Sequence, residues 1–482
     1  MSARSEALAA YPALSLFIGG EWLGSSEAIP VLDPTSGAAI ASLPNADDAL
    51  LDRALQAAHD AFPGWRRTPA IDRGRLIARA AAWLRAHREQ WGALIALELG
   101  KPIAQALAET DTACEILEWS AEEGRRLYGR QIPARKPNVR MTAIVDPVGP
   151  VGALAGWNAP AITPARKIAY ALASGCSIVL KPSEATPASA LMIARAFEAA
   201  GLPAGVLNIV FGDPPAIGRM LAGDLRIRLL TFTGGTAIGK ALAAACAATL
   251  KRTVLELGGH APVLVFADSD VGAVARAAVA AKFRNAGQVC TSPTRFLVER
   301  AAHDAFVEAF TAATLAIRTG DPFDPATAMG PLQNPRRVAG VRALIEDAVD
   351  RGATVAQGVI PESPGFWHPP TVLSNLHPDS LVLHEEPFGP VALIQPFDSA
   401  DEAIAQANRL SFGLAAYAHT ASLATAERLA REIEAGTLAI NHWQASWPET
   451  PFGGLKDSGL GSEGGSEGLA AFCQTRFVSV EA

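Results

Sequence analysis

Cysteine is scarce in this sequence, with five residues in 482: Cys114, Cys176, Cys246, Cys290 and Cys473. They are too few and scattered for a disulfide framework, and without a C-x-x-C pair they make no thiol metal site. A reducing, cytoplasmic setting is expected. The odd count leaves open whether one of them is a working thiol. A basic excess is also missing, because Lys+Arg 41 against Asp+Glu 48 gives a net charge of −7. Nucleic-acid proteins carry the opposite footprint, so no nucleic-acid partner is expected. Long apolar runs are absent as well. The longest charge-free stretch, 147–165, contains Pro147, Pro150, Pro160, Pro164 and three glycines. Such a stretch does not make a spanning helix, so no membrane partner is expected. The nine histidines show neither H-E-x-x-H nor paired spacing, and no metal site is expected.

What is present is apolar material. Hydrophobic residues make up 49% of the chain and charged residues 18%, enough for large cores and for two or three domains. The first third reads as mostly helical, with apolar periodicity over Asp47–Phe62 and Asp72–Leu99. Arg73, Arg75, Arg79, Arg85 and Arg88 in the second segment read as a solvated face with acidic partners. Tyr128–Val148 reads as a β-hairpin. From Val151 onward, strand-like runs (Val151–Ala155, Ser177–Leu180, Val206–Val210, Leu229–Phe232) alternate with helix-like ones. That rhythm predicts βαβ units around a parallel sheet. It resumes in a second α/β region over Ala261–Phe266, Val271–Phe283, Thr294–Val298 and His303–Thr314. A glycine-rich tail then ends in a β-like segment, Thr475–Val480.

Several residues could carry chemistry. Cys290 ends Asn285-Ala286-Gly287-Gln288-Val289-Cys290, where a glycine lets the backbone bend and present a thiol. Taken alone, such a cysteine reads more readily as a buried structural residue. Glu256 closes an apolar run ahead of Gly258-Gly259. Burial there would raise its pKa toward that of a general base, but a carboxylate satisfied by backbone amides fits equally well. Thr233-Gly234-Gly235 follows a strand and opens a helix, the context of a phosphate-cradling turn, without the full G-x-G-x-x-G spacing. Lys181-Pro182-Ser183-Glu184 places a cation and a carboxylate at another strand's carboxyl end, the edge where open α/β sheets bind ligands.

Together these segments resemble the aldehyde dehydrogenase superfamily. The likeness runs through Trp157-Asn158-Ala159-Pro160, Lys181-Pro182-Ser183-Glu184, Phe232–Gly239, Glu256-Leu257-Gly258-Gly259, Gly287-Gln288-Val289-Cys290, Glu386-Pro387-Phe388-Gly389-Pro390 and Pro451–Lys456, in that order. It implies an α/β fold: a Rossmann-type dinucleotide-binding domain, an α/β catalytic domain and a small β oligomerisation element. These would span 1–127 with 149–252, 253–435, and 128–148 with 465–482, while 436–464 returns toward the active-site tunnel. A homodimer or homotetramer is implied. The resemblance makes Cys290 the nucleophile, Glu256 the base, Asn158 an oxyanion donor and Lys167 a supporting residue. It assigns cofactor contacts to Trp157, Lys181, Ser183, Glu184, Gly212, Thr233, Gly234, Gly235, Leu257, Glu386 and Phe388. The implied cofactor is NAD, with NADP open, since Glu184 would accept from ribose hydroxyls and repel a 2′-phosphate.

Within that superfamily the sequence is most similar to succinate-semialdehyde and 2-oxoglutarate-semialdehyde dehydrogenases. Glu118–Glu123 and Phe283-Arg284-Asn285 carry this likeness. It implies that Arg166, Arg284 and Ser446 bind a distal carboxylate, for which arginine's planar fork is suited. Ala159 stands where the family usually has a bulky aromatic, and Trp443 and Trp447 add aromatic surface. A larger or aromatic aldehyde is therefore the alternative. A CoA-acylating relative, a thiol esterase and a non-catalytic binding protein are more distant ones. Ser292 replaces the second cysteine of some relatives, so no redox switch is expected.

Overall fold

The computed structural model describes residues 2–481, and its core is organised by two large sheets whose opposed edges meet at one cleft. The first sheet has eight strands. Its parallel centre runs Leu207–Ile209, Ile178–Lys181, Val151–Leu154, Leu229–Thr233, Arg252–Glu256. These are the short apolar runs of the sequence, buried on both faces as parallel strands must be. The order reverses between Val151–Leu154 and Leu229–Thr233, so a crevice opens beyond their carboxyl ends. Antiparallel edges are added by Leu16–Ile18 with Glu21–Leu23 and, from the tail, by Gly459–Leu460.

The second sheet orders its seven strands Thr354–Gln357, Thr371–Ser374, Val391–Phe397, Pro293–Glu299, Ala261–Val265, Ala415–His419, Thr437–Ile440. All pairs are parallel except the first. A third, three-stranded sheet contains the expected hairpin, Arg130–Ile132 with Val139–Pro147, and the terminal strand Cys473–Glu481 in antiparallel register.

Some boundaries differ from the sequence reading. Arg252–Glu256 pairs with Leu229–Thr233, so the first lobe extends past 252 to Glu256. Thr437–Ile440 completes the second sheet, which therefore reaches beyond 435. Helix Gly465–Ala471 lies against the first lobe, with Gly468 close to the Tyr170 ring, so the terminal β element begins at Cys473 rather than at 465.

The long helix expected over Asp72–Leu99 breaks at His87 into Ala70–Ala86 and Arg88–Leu99. The His87 ring lies 3.7 Å from that of Trp83, and its Nδ1 meets the Trp83 carbonyl at 2.8 Å. That carbonyl belongs to the last turn of the first helix. Of the five arginines, Arg75, Arg85 and Arg88 take carboxylate partners. Arg73 is instead buried and donates to the Ala173 and Thr68 carbonyls, and Arg79 donates to that of Ala200. No described helix is long and apolar enough to cross a membrane.

Candidate active site

The two sheets offer opposite ends to the cleft. From the first come residues at or just beyond strand carboxyl ends: Trp157 and Asn158, Lys181 to Glu184, Gly212, Thr233, and Glu256. From the second come segments just before strands: Gly258-Gly259 ahead of Ala261–Val265, Cys290 ahead of Pro293–Glu299, and Glu386 to Phe388 ahead of Val391–Phe397. The apposition is tight. A Cβ on Gly259 would lie 2.7 Å from the Cys290 carbonyl oxygen, and one on Gly258 2.6 Å from Glu386 Oε2. The Trp157 and Phe388 rings meet edge to face across the join, 5.6 Å between centroids.

Cys290 is set apart from its four counterparts. Cys114, Cys176, Cys246 and Cys473 are buried, whereas Cys290 is half-buried. The turn that delivers it holds three successive residues in the left-handed region, Asn285 (φ 50°), Ala286 (φ 53°) and Gly287 (φ 70°). For a non-glycine residue this costs roughly 1–2 kcal/mol. Side chains hold the turn in place. Asn285 Nδ2 donates to the Asn158 and Gln288 carbonyls at 3.1 Å each, Gln288 Nε2 to the Asn285 carbonyl at 3.1 Å, and Asn285 N–H to Gln105 Oε1 at 2.9 Å.

Glu256 is 3% exposed, and its Oε1 has no protein partner. Burial, followed by the charge of Glu463, pushes its carboxyl up to about 7. Cys290 lies beside it, close enough for each group to shift the other. Burial, and then the Glu256 charge, holds that thiol well above the ordinary cysteine range. Lys167 is fully buried and donates to Thr231 Oγ1 at 2.8 Å and to Glu463. Glu463, which also accepts from Thr231, comes from the glycine-rich tail.

Among the described residues, the Asn158 side-chain amide is free of protein partners. Its backbone carbonyl is held by Asn285 and, at 3.2 Å, by Lys101 Nζ. Lys101 pairs with Glu109 in the interior, and losing one partner of such a pair costs about 3–5 kcal/mol. Glu386 is pushed up to about 7 by burial and accepts from Gly259 N–H at 3.2 Å. The buried Lys282 is pulled down to about 7 by the same cause and donates to Ser292 Oγ at 3.2 Å.

The crevice fits a dinucleotide. Helix Thr236–Ala247 begins at Gly235 with no side-chain cap, and a Cβ on Gly235 would meet nothing within 4 Å. Its first N–H groups have no side-chain acceptor and the space beside Gly235 is open, an arrangement suited to phosphate. The Thr233 hydroxyl beside it is buried without a partner. Gly234 N–H donates to the Glu256 carbonyl, and Leu257 packs under Gly239, so these two shape the turn. Lys181 pairs with Glu184 at 2.5 Å, while Ser183 Oγ accepts from Ala185 N–H. Gly212 sits against Asn45 and Ala46.

Comparison with known proteins decides the family: the pattern described as Aldehyde dehydrogenase family matches residues 22–478. The chain belongs to the aldehyde dehydrogenase family. As an aldehyde dehydrogenase, it is an NAD(P)-linked oxidoreductase. It is 44% identical over 470 residues to 4-(hydroxymethyl)benzenesulfonate dehydrogenase TsaD1 of Comamonas testosteroni, covering 97% of this chain and 98% of that one. It is 39% identical over 466 residues to the NADP(+) succinate-semialdehyde dehydrogenase GabD of Escherichia coli, covering 96% and 97%. Betaine aldehyde dehydrogenase from Staphylococcus aureus, solved in complex with NAD+, superposes with a TM-score of 0.96 at 30% identity, covering 99% and 97%.

The three residues expected to bind substrate are not joined by contacts. Arg166 is 7% exposed, its Nε has no partner, and its guanidinium lies 5.0 Å from the centroid of the Phe452 ring. Arg284 is exposed and makes no ion pair among the described residues. Ser446 is half-buried, and its hydroxyl turns to the Trp447 carbonyl at 3.5 Å. Trp443 packs on Tyr417 and His419, while Trp447 is 45% exposed beside His442.

Sequence reasoning missed Glu463, Lys101, Glu109 and Lys282. The available signal was a lone carboxylate among glycines for Glu463, a cation in the Gly-Lys-Pro corner between two helices for Lys101, and a charge on the buried side of a helix for Glu109 and Lys282.

Proposed function

We propose that the protein oxidises an aldehyde bearing an anionic group to its carboxylic acid, through covalent catalysis by Cys290 and without transfer to CoA. Glu256, buried beside the thiol and poised near neutrality, takes its proton. The thiolate attacks the aldehyde carbon, and the carbonyl oxygen becomes an oxyanion held by the Asn158 amide and the Cys290 backbone N–H. NAD(P), when bound, supplies the two-electron oxidation that turns this adduct into a thioester. Glu256, once it has passed that first proton to solvent, draws a proton from water as the water oxygen attacks the thioester carbon. The carbon–sulfur bond breaks, the acid leaves and the Cys290 sulfur is reprotonated. Glu386 and Phe388 are assigned to the nicotinamide side of the cofactor, Lys181, Ser183, Glu184 and Gly212 to the adenosine side, and Thr233 to Gly235 to the phosphates.

The observation that carries the substrate reading is a pair of arginines without carboxylate partners, Arg166 and Arg284. A buried guanidinium with an orphan donor is costly unless a ligand anion meets it. A carboxylate semialdehyde such as succinic semialdehyde is the first choice. The aromatic surface of Trp443 and Trp447, together with the similarity to TsaD1, favours a second reading, an aromatic aldehyde. The purified protein should be assayed with NAD or NADP on succinic semialdehyde, 2-oxoglutarate semialdehyde, 4-sulfobenzaldehyde and benzaldehyde. Arg166→Ala and Arg284→Ala are each expected to lower kcat/KM for the anionic substrates by about 10–100-fold, with little change for benzaldehyde. A preference for benzaldehyde unaltered by either change would overturn the anion reading.

Glu184 favours NAD, because a 2′-phosphate would face its carboxylate. Glu184→Gln is expected to raise kcat/KM with NADP relative to NAD. An unchanged ratio would remove Glu184 from the ribose site.

A further inference from the structure

Lys101 lies in the corner between helices Arg88–Leu99 and Ile103–Glu123. This corner is wedged between the lobes. Gly100 has φ 75°, and a Cβ there would lie 2.5 Å from Pro331 Cγ of the second lobe. From this position Lys101 Nζ reaches the Asn158 carbonyl at 3.2 Å while paired with Glu109. Lys101 is 6% exposed and Glu109 also 6%.

Glu109 has a second task. Helix Ile162–Ser174, which carries Arg166 and Lys167, has no side-chain cap of its own. Glu109 Oε1 accepts from Ala161 N–H at 2.9 Å and from Ile162 N–H at 3.5 Å, so a residue 52 positions earlier caps it. A carboxylate at that end also complements the helix dipole. Both ends of the segment from Asn158 to Ile162 are thus held by one ion pair. The remaining hold on Asn158 comes from the other lobe, through Asn285 Nδ2 at 3.1 Å. Gln105, one helical turn before Glu109, accepts from Asn285 N–H.

We propose that the Lys101–Glu109 pair is the positioning element of the oxyanion corner, fixing the Asn158 backbone so that its amide faces the carbon attacked by Cys290. The inference rests on the reading of Asn158 as the oxyanion donor. Both are buried with protein partners and would act through Asn158 rather than on the reacting atoms. The amide of Asn158 is free to serve a ligand because its backbone, not its side chain, is anchored. An oxyanion donor held by protein partners through its side chain would have to release them in every turnover. Clamping the carbonyl leaves the amide oriented and available.

The test uses the purified enzyme with NAD and succinic semialdehyde, or 4-sulfobenzaldehyde if that turns over faster. Lys101→Met/Glu109→Leu removes both charges together, so no unpaired charge is left in the interior. Its kcat is expected to fall by about 10–100-fold, part of the roughly 10²–10³-fold carried by one oxyanion donor. KM for NAD should stay within about twofold. Lys101→Arg, which restores a cation at the corner, should recover part of the rate. In an Asn158→Ala background the paired change should cost less than about threefold more, because the group it positions is gone. A general structural weakening would instead multiply the two losses and shift KM. A paired variant with wild-type kcat, or losses that multiply fully, would overturn the positioning role alone. A wild-type rate in Asn158→Ala itself would overturn the oxyanion reading and this inference with it.

Discussion

Cys290→Ala is expected to lose aldehyde oxidation almost completely, with kcat down by about 10⁴-fold or more, while NAD(P) binding survives. Losses of that order accompany removal of a nucleophile whose neighbours act only through it. No other thiol can substitute, since Cys114, Cys176, Cys246 and Cys473 are all buried. Nucleotide binding measured by fluorescence should be unchanged, because the open helix start at Gly235 and the Thr233 hydroxyl lie on the other sheet. Residual turnover within tenfold of wild type would remove Cys290 from the mechanism.

Glu256→Gln is expected to separate the two halves of the reaction. Removing the carboxylate removes a negative charge that holds the Cys290 thiol up. That relief offsets the loss of the proton acceptor in the first half of the reaction, so acylation continues. Thioester cleavage loses its proton acceptor, so steady-state turnover should fall by about 10²–10⁴-fold. The signature is a burst of NADH approaching one equivalent per active site, followed by slow release. Wild-type kcat should carry a matching pH dependence. The base must be ionised to act, and its carboxyl sits at about 7, so the rate should rise with pH through that value and level off above it. In Glu256→Gln that limb should vanish. A variant that keeps wild-type turnover, or the same limb, would defeat the assignment.

Much of this architecture is legible in the sequence because parallel strands advertise themselves. Val151–Leu154, Ile178–Lys181 and Leu229–Thr233 are buried on both faces and read as mainly apolar runs, with polar residues only at Lys181, Thr231 and Thr233. The residues at their carboxyl ends inherit their place from that register. Helix Ile103–Glu123 is less legible, since buried Glu109 and Thr110 interrupt its apolar stripe. The polar interruption is itself functional, because Glu109 caps another helix. The break at His87 depends on a ring packing that periodicity does not encode. Glu463 and Lys167 meet across the fold, and nothing local in either segment announces the other. Arg166 and Arg284 were readable as a candidate pair, but their unequal exposure was not.

That last long-range contact also bears on how the chain is made. Lys167 and Glu463 are separated by 296 residues. At about 5–20 residues per second, the ribosome adds the second roughly 15–60 s after the first. During that interval Lys167 lacks its Glu463 partner, and the first sheet lacks its Gly459–Leu460 edge strand. The surroundings of Lys167 and the edge of the first sheet are therefore completed only by the last-made part of the chain, so a tail shortened before Gly459 would leave both unfinished.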